Sequence, residues 1–233
     1  MLRIINRRNL ATNAHRVADF AVLRRRVFTD RLGWHGPEAS RATPRSPGQE
    51  QDATHEYDRF DTSDTIYMLM SNTSDEVVAG LRLLPANGSS LMAEMFPGLP
   101  GCGAGWPDMV YEVSRFVVDP CRIRTAGCGN LGAQMIQGLQ DYSMLCGLSE
   151  YISVSFSGME QLLRNVGCPS RRLAAPMIIG GRRFVPLAFG KGAQAVANTG
   201  EDFDVLEKTG GPPAIENAAA DTTGAEPQEL TLA

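Results

Sequence analysis

Apolar and polar positions along the chain fall into short β-type runs separated by helix-period stretches and glycine- or proline-bearing turns, the pattern of an α/β protein. The most informative run is Met109-Val110-Tyr111-Glu112-Val113-Ser114-Arg115-Phe116-Val117-Val118-Asp119. So β-branched and aromatic a segment reads as a central strand with both faces covered. Glu112 and Arg115 interrupt it. Interior charges persist only when paired or put to use, so two readings stand: an ion pair that satisfies itself, or a pocket lined by Glu112, Ser114 and Arg115 where the strand leaves the sheet.

Taken in order, Leu2-Arg3-Ile4-Ile5 opens as a strand, and Asn13 offers an N-cap for a helix running to about Phe28. Val17, Phe20, Ala21, Arg24, Val27 and Phe28 recur at helical spacing, so that face is core with Arg24 as its charged exception. From His35 to Thr54 the chain is a polar, proline-rich loop, a length that marks functional or mobile segments. Asp58 and Asp61 then stand three residues apart before a strand at Thr65 to Met70. They suit either turn formation or the holding of a cationic or polar ligand. A second strand, Glu76 to Leu84, is hairpinned to the first through Asn72-Thr73-Ser74-Asp75, and Arg82 breaks its apolar end. Ser90 to Phe96 reads as a short helix. After the central strand, Arg124-x-x-Gly127-x-Gly129 leads into a helix to about Cys146. Strand, glycine-bearing loop and helix make a natural anion site, and this loop fits the R/Q-x-x-G-x-G/A pyrophosphate pattern of the GNAT acyltransferases. Glu150 to Ser155 is a strand with a hydroxylic face formed by Tyr151, Ser153 and Ser155, and Gly158 to Val166 is a helix with Met159, Leu162 and Leu163 on one side. Ala174 to Ile179 and Arg183 to Phe189 close as a hairpin about Gly180-Gly181. Beyond about Gly210 the composition cannot build a core and reads as a disordered tail.

Composition narrows the chemistry. The 233 residues are 43% hydrophobic and 21% charged with a net charge of -4, which supplies no basic excess for neutralising nucleic-acid phosphates. No run reaches the roughly 18–20 apolar residues that span a bilayer. The N-terminus carries no signal-peptide apolar core, so the expected location is the cytoplasm. Five cysteines without a C-x-x-C pair and three scattered histidines argue against a disulfide framework or a metal site. Carboxylates, arginines and backbone must do the work.

The assembled motifs resemble the LuxI-type acyl-homoserine-lactone synthases, the autoinducer synthases of quorum sensing. The family pattern R-x-x-x-F-x-x-x-x-x-W falls on Arg24, Phe28 and Trp34, its D-x-x-D on Asp58 and Asp61, its strand arginine on Arg82, and its E-x-S-R on Glu112, Ser114 and Arg115. The likeness runs from the first helix to about Gly190. It implies one GNAT-like domain over residues 1–209, a three-layer sandwich in which a twisted mixed sheet flanked by helices splits into a V-shaped cleft. It also implies the reaction, in which S-adenosylmethionine and an acyl thioester of acyl carrier protein or coenzyme A yield an N-acyl-L-homoserine lactone and methylthioadenosine. S-adenosylmethionine is then a substrate, and no cofactor or metal is expected.

On this resemblance Glu112, Arg115 and Ser114 are catalytic, while Arg24, Phe28, Trp34, Asp58, Asp61 and Arg82 bind S-adenosylmethionine. Ser153, Met159, Leu162 and Leu163 line the acyl chain. Arg122, Arg124, Gly127, Gly129 and Arg164, with Arg171 and Arg172, face the carrier protein or coenzyme A. Two features depart from the family: the Glu38 to Thr54 segment is longer and richer in proline, and the Arg124 loop looks more like that of an acyl-CoA enzyme. The competing readings are a GNAT acyl-CoA N-acyltransferase acting on another amine and a degenerate member that only binds.

Overall fold

The computed structural model describes residues 1–33, 54–88, 90–98, 105–121, 130–179 and 181–191. The expected tail beyond Gly210, and nearly all of the long loop before Thr54, lie outside the described residues. All described strands belong to one sheet. They are β1 (Leu2–Ile5), β2 (Ile66–Ser71), β3 (Val77–Pro85), β4 (Val110–Val118), β5 (Glu150–Phe156), β6 (Ser170–Arg172), β7 (Met177–Ile179) and β8 (Arg182–Phe189), in the order β1-β2-β3-β4-β5-β8-β6, with β7 also paired to β8. Neighbours are antiparallel except β4 and β5, which run parallel.

Helices cover both faces, as the continuous apolar runs of β3 and β4 require. On one face α1 (Ala14–Arg24) and the π-helical turn Arg25–Arg31 set Phe20, Leu23 and Phe28 against Tyr67, Leu69 and Val117. On the other, α3 (Leu131–Cys146) and α4 (Ser157–Asn165) pack Met135, Ile136, Leu139, Met159 and Leu163 onto Met68, Leu81, Leu83 and Val113. The short α2 (Leu91–Met95) lies over Ile152 and Ala188 through Met92, near Phe96 just after it. Gly80 sets the height of α1 above the sheet. A Cβ there would stand 2.6 Å from the Phe20 ring and 2.8 Å from Leu69 Cδ2.

Two boundaries, one cap and one short strand differ from the pattern reading. The first helix runs past Phe28, because the widened turn carries the helical path to Arg31 and the Leu32 N–H bonds Val27 O five residues back at 3.1 Å. Asn13 stands at the N-cap position, but its side chain donates to Asn9 O at 2.9 Å instead of capping. On the far edge, β7 begins at Met177 rather than Ala174, since Pro176 has no N–H to give a ladder. The three-residue β6 has no apolar run to betray it.

Two departures from ladder regularity shape the site. First, β4 and β5 pair over only Val110↔Glu150, Tyr111↔Tyr151 and Glu112↔Ile152, yet β4 continues to Val118 and β5 to Phe156. The two strands therefore splay at their carboxyl ends, and Glu112 is the last paired residue, at the apex of the V. Second, β3 and β4 slip register between Gly80 and Arg82, where Arg115 adopts φ 53°. This β-bulge opposes Arg115 and Phe116 to Leu81. Without it, side-chain alternation would send Arg115 to the apolar α3 face beside Val113. With it, Ser114 and Arg115 share the α1 face, while Phe116 packs on the α3 side.

Candidate active site

The α1 face of β3 and β4 presents Arg82, Ser114, Glu112 and, through the bulge, Arg115, while α1 contributes Arg24. All five are buried, Arg24, Arg82 and Glu112 completely. The segment Glu56 to Asp61, which crosses above them, brings the matching charge. Asp58 takes both Arg82 terminal nitrogens, at 2.6 and 3.0 Å, and Arg115 Nη2 at 2.7 Å. Asp61 takes Arg24 Nη1 and Nη2 at 2.8 and 3.1 Å and the Tyr67 hydroxyl at 3.1 Å. Glu56 bonds Arg24 Nε and accepts from Arg115 Nε at 2.9 Å. Arg82 Nε donates to Ser114 Oγ at 3.0 Å. Three guanidinium groups thus face three carboxylates, which makes burial tolerable, and the paired bonds fix every plane. Backbone donors hold the aspartates in turn: Asp58 N–H to Asp61 and Phe60 N–H to Asp58, both at 2.8 Å.

The network tunes its members strongly. Burial pushes the Asp58 carboxyl upward, but Arg82 and Arg115 outweigh it and hold the group well below the usual carboxylate range. Asp61 is lowered in the same way, against burial, by Arg24 and Arg82. The Arg24 guanidinium is held charged by Asp61 and Glu56 despite its burial. Tyr67 is raised by burial and by Asp61, so its hydroxyl stays a donor.

Glu112 stands apart. Its Oε1 and Oε2 face the Met92 N–H at 3.2 and 3.4 Å. Burial pushes its carboxyl up to about 7, only partly offset by the Met92 N–H, the Ser90 hydroxyl and Arg82. A carboxyl poised near neutrality at the vertex of a split sheet is a competent proton acceptor at physiological pH. Beyond Glu112 the β4–β5 ladder ends while both strands continue, so the two backbones line the gap.

The sequence model of the autoinducer synthase family matches residues 8–189. The chain belongs to this family. It is an acyl-homoserine-lactone synthase, an acyltransferase on a GNAT-like frame. A probable acyl-homoserine-lactone synthase of Sinorhizobium fredii (strain NBRC 101917 / NGR234) is 32% identical to it, over 68% of this chain and 72% of the relative. The acyl-homoserine-lactone synthase of Agrobacterium fabrum (strain C58 / ATCC 33970) is also 32% identical, over 68% and 71%. Among solved structures, TofI in a ternary complex with an inhibitor and MTA is 28% identical with a TM-score of 0.58, covering 79% of this chain and 89% of that one. BjaI, a CoA-dependent acyl-homoserine lactone synthase solved with SAM and isopentyl-CoA, shares the fold at 23% identity and a TM-score of 0.66, over 89% and 87%.

The synthase brings Arg24, Asp58, Asp61, Arg82, Ser114 and Arg115 into one network, with Glu112 beside it. The interior charges of β4 find partners beyond their own strand: Arg115 binds Glu56 and Asp58, and Glu112 binds α2. Asp58 and Asp61 face arginines, so within the protein their role is to orient and be oriented. Phe28 lies 5.8 Å below the Arg115 guanidinium. Trp34, Arg122, Arg124, Gly127 and Gly129 lie outside the described residues. Ser153 is buried and its hydroxyl sits 2.5 Å from that of Ser155, while Met159, Leu162 and Leu163 pack into or against the α3-side core. A cavity of about 240 Å³ among Ile136, Leu139, Gln140, Tyr151, Cys168 and Phe189 touches none of these four. Arg171 and Arg172 pair with Glu150 and Glu160, and Arg164 bonds Gln161 at 3.1 Å.

Pattern reading passed over Glu56, Tyr67 and Ser90. Charge balance could have found the first: three arginines set in apolar stripes demand three anions, and Glu56 stands two residues before Asp58. Tyr67 and Ser90 carry no comparable signal. Among the described residues no cluster of three or more His, Cys, Asp and Glu is placed to hold a metal, and no helix is long and apolar enough to cross a membrane.

Proposed function

We propose that this synthase acylates the amine of S-adenosylmethionine at the apex of the β4–β5 split, with Glu112 as proton acceptor, and then closes the lactone in the same site. The observation that supports the reading best is the placement of Glu112: buried, near neutrality, and the last residue before the two parallel strands part. The methionyl amine is an ammonium in water and attacks only after losing a proton, which Glu112 takes directly or through one water. The amine nitrogen then adds to the thioester carbonyl. The oxyanion is met by backbone N–H groups on the open strand edges, and collapse expels the thiol and leaves the amide. One carboxylate oxygen of the methionyl group next attacks its own γ-carbon. The C–S bond breaks toward the sulfonium, methylthioadenosine leaves, and the ring closes with no further acid or base, so positioning suffices.

The arginine–carboxylate network is the wall against which the substrate is held. Asp58, Asp61 and Glu56 give it a negative rim for ammonium and sulfonium, and Arg24, Arg82 and Arg115 balance it and can orient the substrate carboxylate. Phe28 and Trp34 supply aromatic faces for the cation and adenine. Ser153, Met159, Leu162 and Leu163 contact the acyl chain, and Arg122, Arg124, Gly127, Gly129 and Arg164 meet the carrier of the thioester, coenzyme A or acyl carrier protein. The reaction uses no resident cofactor and takes place in the cytoplasm.

Purified protein incubated with S-adenosylmethionine and a panel of acyl-CoA and acyl-carrier-protein thioesters, analysed by mass spectrometry, tests the reading. Acyl-homoserine lactone with equimolar methylthioadenosine is expected. Amide formation without methylthioadenosine points to an N-acyltransferase of another amine, and no product with any donor overturns both.

A further inference from the structure

Past Glu112 the two halves of the sheet are joined on the α1 face by a bridge outside the charged network. The π-helical turn Arg25–Arg31 meets the β4 half through Phe28, whose ring centroid lies 5.8 Å from the Arg115 guanidinium. At its other end the Leu32 carbonyl oxygen accepts a hydrogen bond from Arg182 Nη2 on β8. Arg182 also lies over the ring of Phe156, the last residue of β5, 6.0 Å from its centroid, and that ring packs on Phe184 at 4.6 Å. Arg115 and Phe156 both stand beyond the last residues that β4 and β5 pair. The turn therefore crosses the split where it is open. The chain prepares both ends of this bridge. Gly181, at φ 74°, turns β7 into β8 just before Arg182, and alternation along β8 puts Arg182 on the side of Ala188, the face that Met92 of α2 covers. Leu32 follows the last turn of a helix, so its carbonyl has no intrahelical partner and favours a cation. Elsewhere on this half of the sheet Arg171 and Arg172 are matched to acids, Glu150 and Glu160. Arg182 instead joins a neutral carbonyl to an aromatic face, which a planar guanidinium can do at once.

We propose that Arg182 is a positioning residue for S-adenosylmethionine: it fastens the outer end of the π-helical turn across the split, and so holds Phe28 and the Arg115 side of the site at the spacing the bound substrate needs. The inference rests on S-adenosylmethionine being held at this split. The β4–β5 ladder ends at Glu112 and Ile152, so backbone pairing does not keep the halves at a fixed distance farther out. On this face α2 ties them near the apex, with the Met92 N–H on Glu112 and the Met92 side chain on Ile152 and Ala188. Arg182 ties them at the mouth. This outer tie touches no reacting atom, so its loss weakens ground-state and transition-state binding alike. KM then rises and kcat stays.

The test separates the tie from a helix cap and from a reader of the thioester's carrier. Arg182→Ala loses both the bond and the stacking, while Arg182→Lys keeps a cationic donor for the Leu32 carbonyl. S-adenosylmethionine binding is measured by calorimetric titration, KM and kcat for both substrates by methylthioadenosine release, and stability by thermal melting. In Arg182→Ala, S-adenosylmethionine affinity should fall and its KM rise about tenfold, the scale of one bond to a charged group, with kcat and the thioester KM within about twofold. Arg182→Lys should recover most of the affinity. A lowered melting point with S-adenosylmethionine affinity unchanged makes Arg182 a helix cap only and overturns the proposal. A raised thioester KM that depends on salt, with S-adenosylmethionine affinity unmoved, makes it a reader of the carrier's anion and overturns it as well. Lactone from the parent protein beside either of these results removes Arg182 alone, whereas no lactone from the parent removes the reading of the site and this inference with it.

Discussion

Replacing Glu112 by glutamine should make the enzyme inactive and, above neutral pH, more stable. The ordinary value of a glutamate carboxyl is 4.5, and in the fold burial lifts Glu112 to about 7. The folded state therefore holds a proton that the unfolded chain has released, and between these two values stability falls as pH rises. At 1.36 kcal/mol per unit, ionising the carboxyl in place costs roughly 3 kcal/mol of stability at pH 8. Glutamine avoids that cost. Its carbonyl can still accept the Met92 N–H, but its amide nitrogen turns a donor toward groups that wanted an acceptor, at about 1–2 kcal/mol. The expected net gain is about 1–2 kcal/mol at pH 8, vanishing or reversing by pH 4.5, where the folded carboxyl is protonated and the unfolded one is only about half ionised. Urea unfolding followed by circular dichroism at pH 4.5, 6, 7 and 8 measures it. A variant less stable than the parent at pH 8 would show that the ionised carboxylate is welcomed at the apex, and the argument for a proton acceptor poised by burial would fall with it.

The network itself makes further predictions. Asp58→Asn leaves Arg82 and Arg115 buried without their shared anion and should cost about 3–5 kcal/mol in urea unfolding at pH 7. Because the Asp58 carboxyl lies below its usual range, its contribution is complete above about pH 4 and lost as the pH falls further, so the variant should lack that acid-side slope. Arg82→Lys gives up the two-pronged bond to Asp58 and the bond to Ser114. Activity should drop at least tenfold, and an unchanged kcat/KM would show that the planar fork is dispensable. Gly80→Ala drives a methyl into Phe20 and Leu69, so α1 and Arg24 must shift. Melting should register about 1–3 kcal/mol lost together with a raised S-adenosylmethionine KM, and a neutral melt would mean that α1 has room to spare.

Which elements exist, and in what order, was legible in the chain. β2, β3, β4, β5 and the long α3 all come from runs whose period and punctuation are local properties. So was the membership of the site, in part. Arg24, Arg82 and Arg115 announce themselves as charges inside apolar stripes, because burial of an unpaired charge is too costly to be accidental. The pairing was not legible. In the sequence Arg115 is as near to Glu112 as to any other acid, and the residues that hold it are Glu56 and Asp58, nearly sixty positions away.

The division has a physical cause. Helical and strand periods are written in neighbouring residues, so the amino-acid order alone settles an α/β chain with charged interruptions in its central strand. Where a β-bulge falls, whether two parallel strands stay paired past Glu112, and how a short helix meets a carboxyl depend on the balance of many distant contacts, none of which has a spacing. Tertiary structure turned Arg115 onto the α1 face, opened the sheet at Glu112, and placed the Met92 N–H against its carboxylate. Those three decisions convert scattered charges into a site.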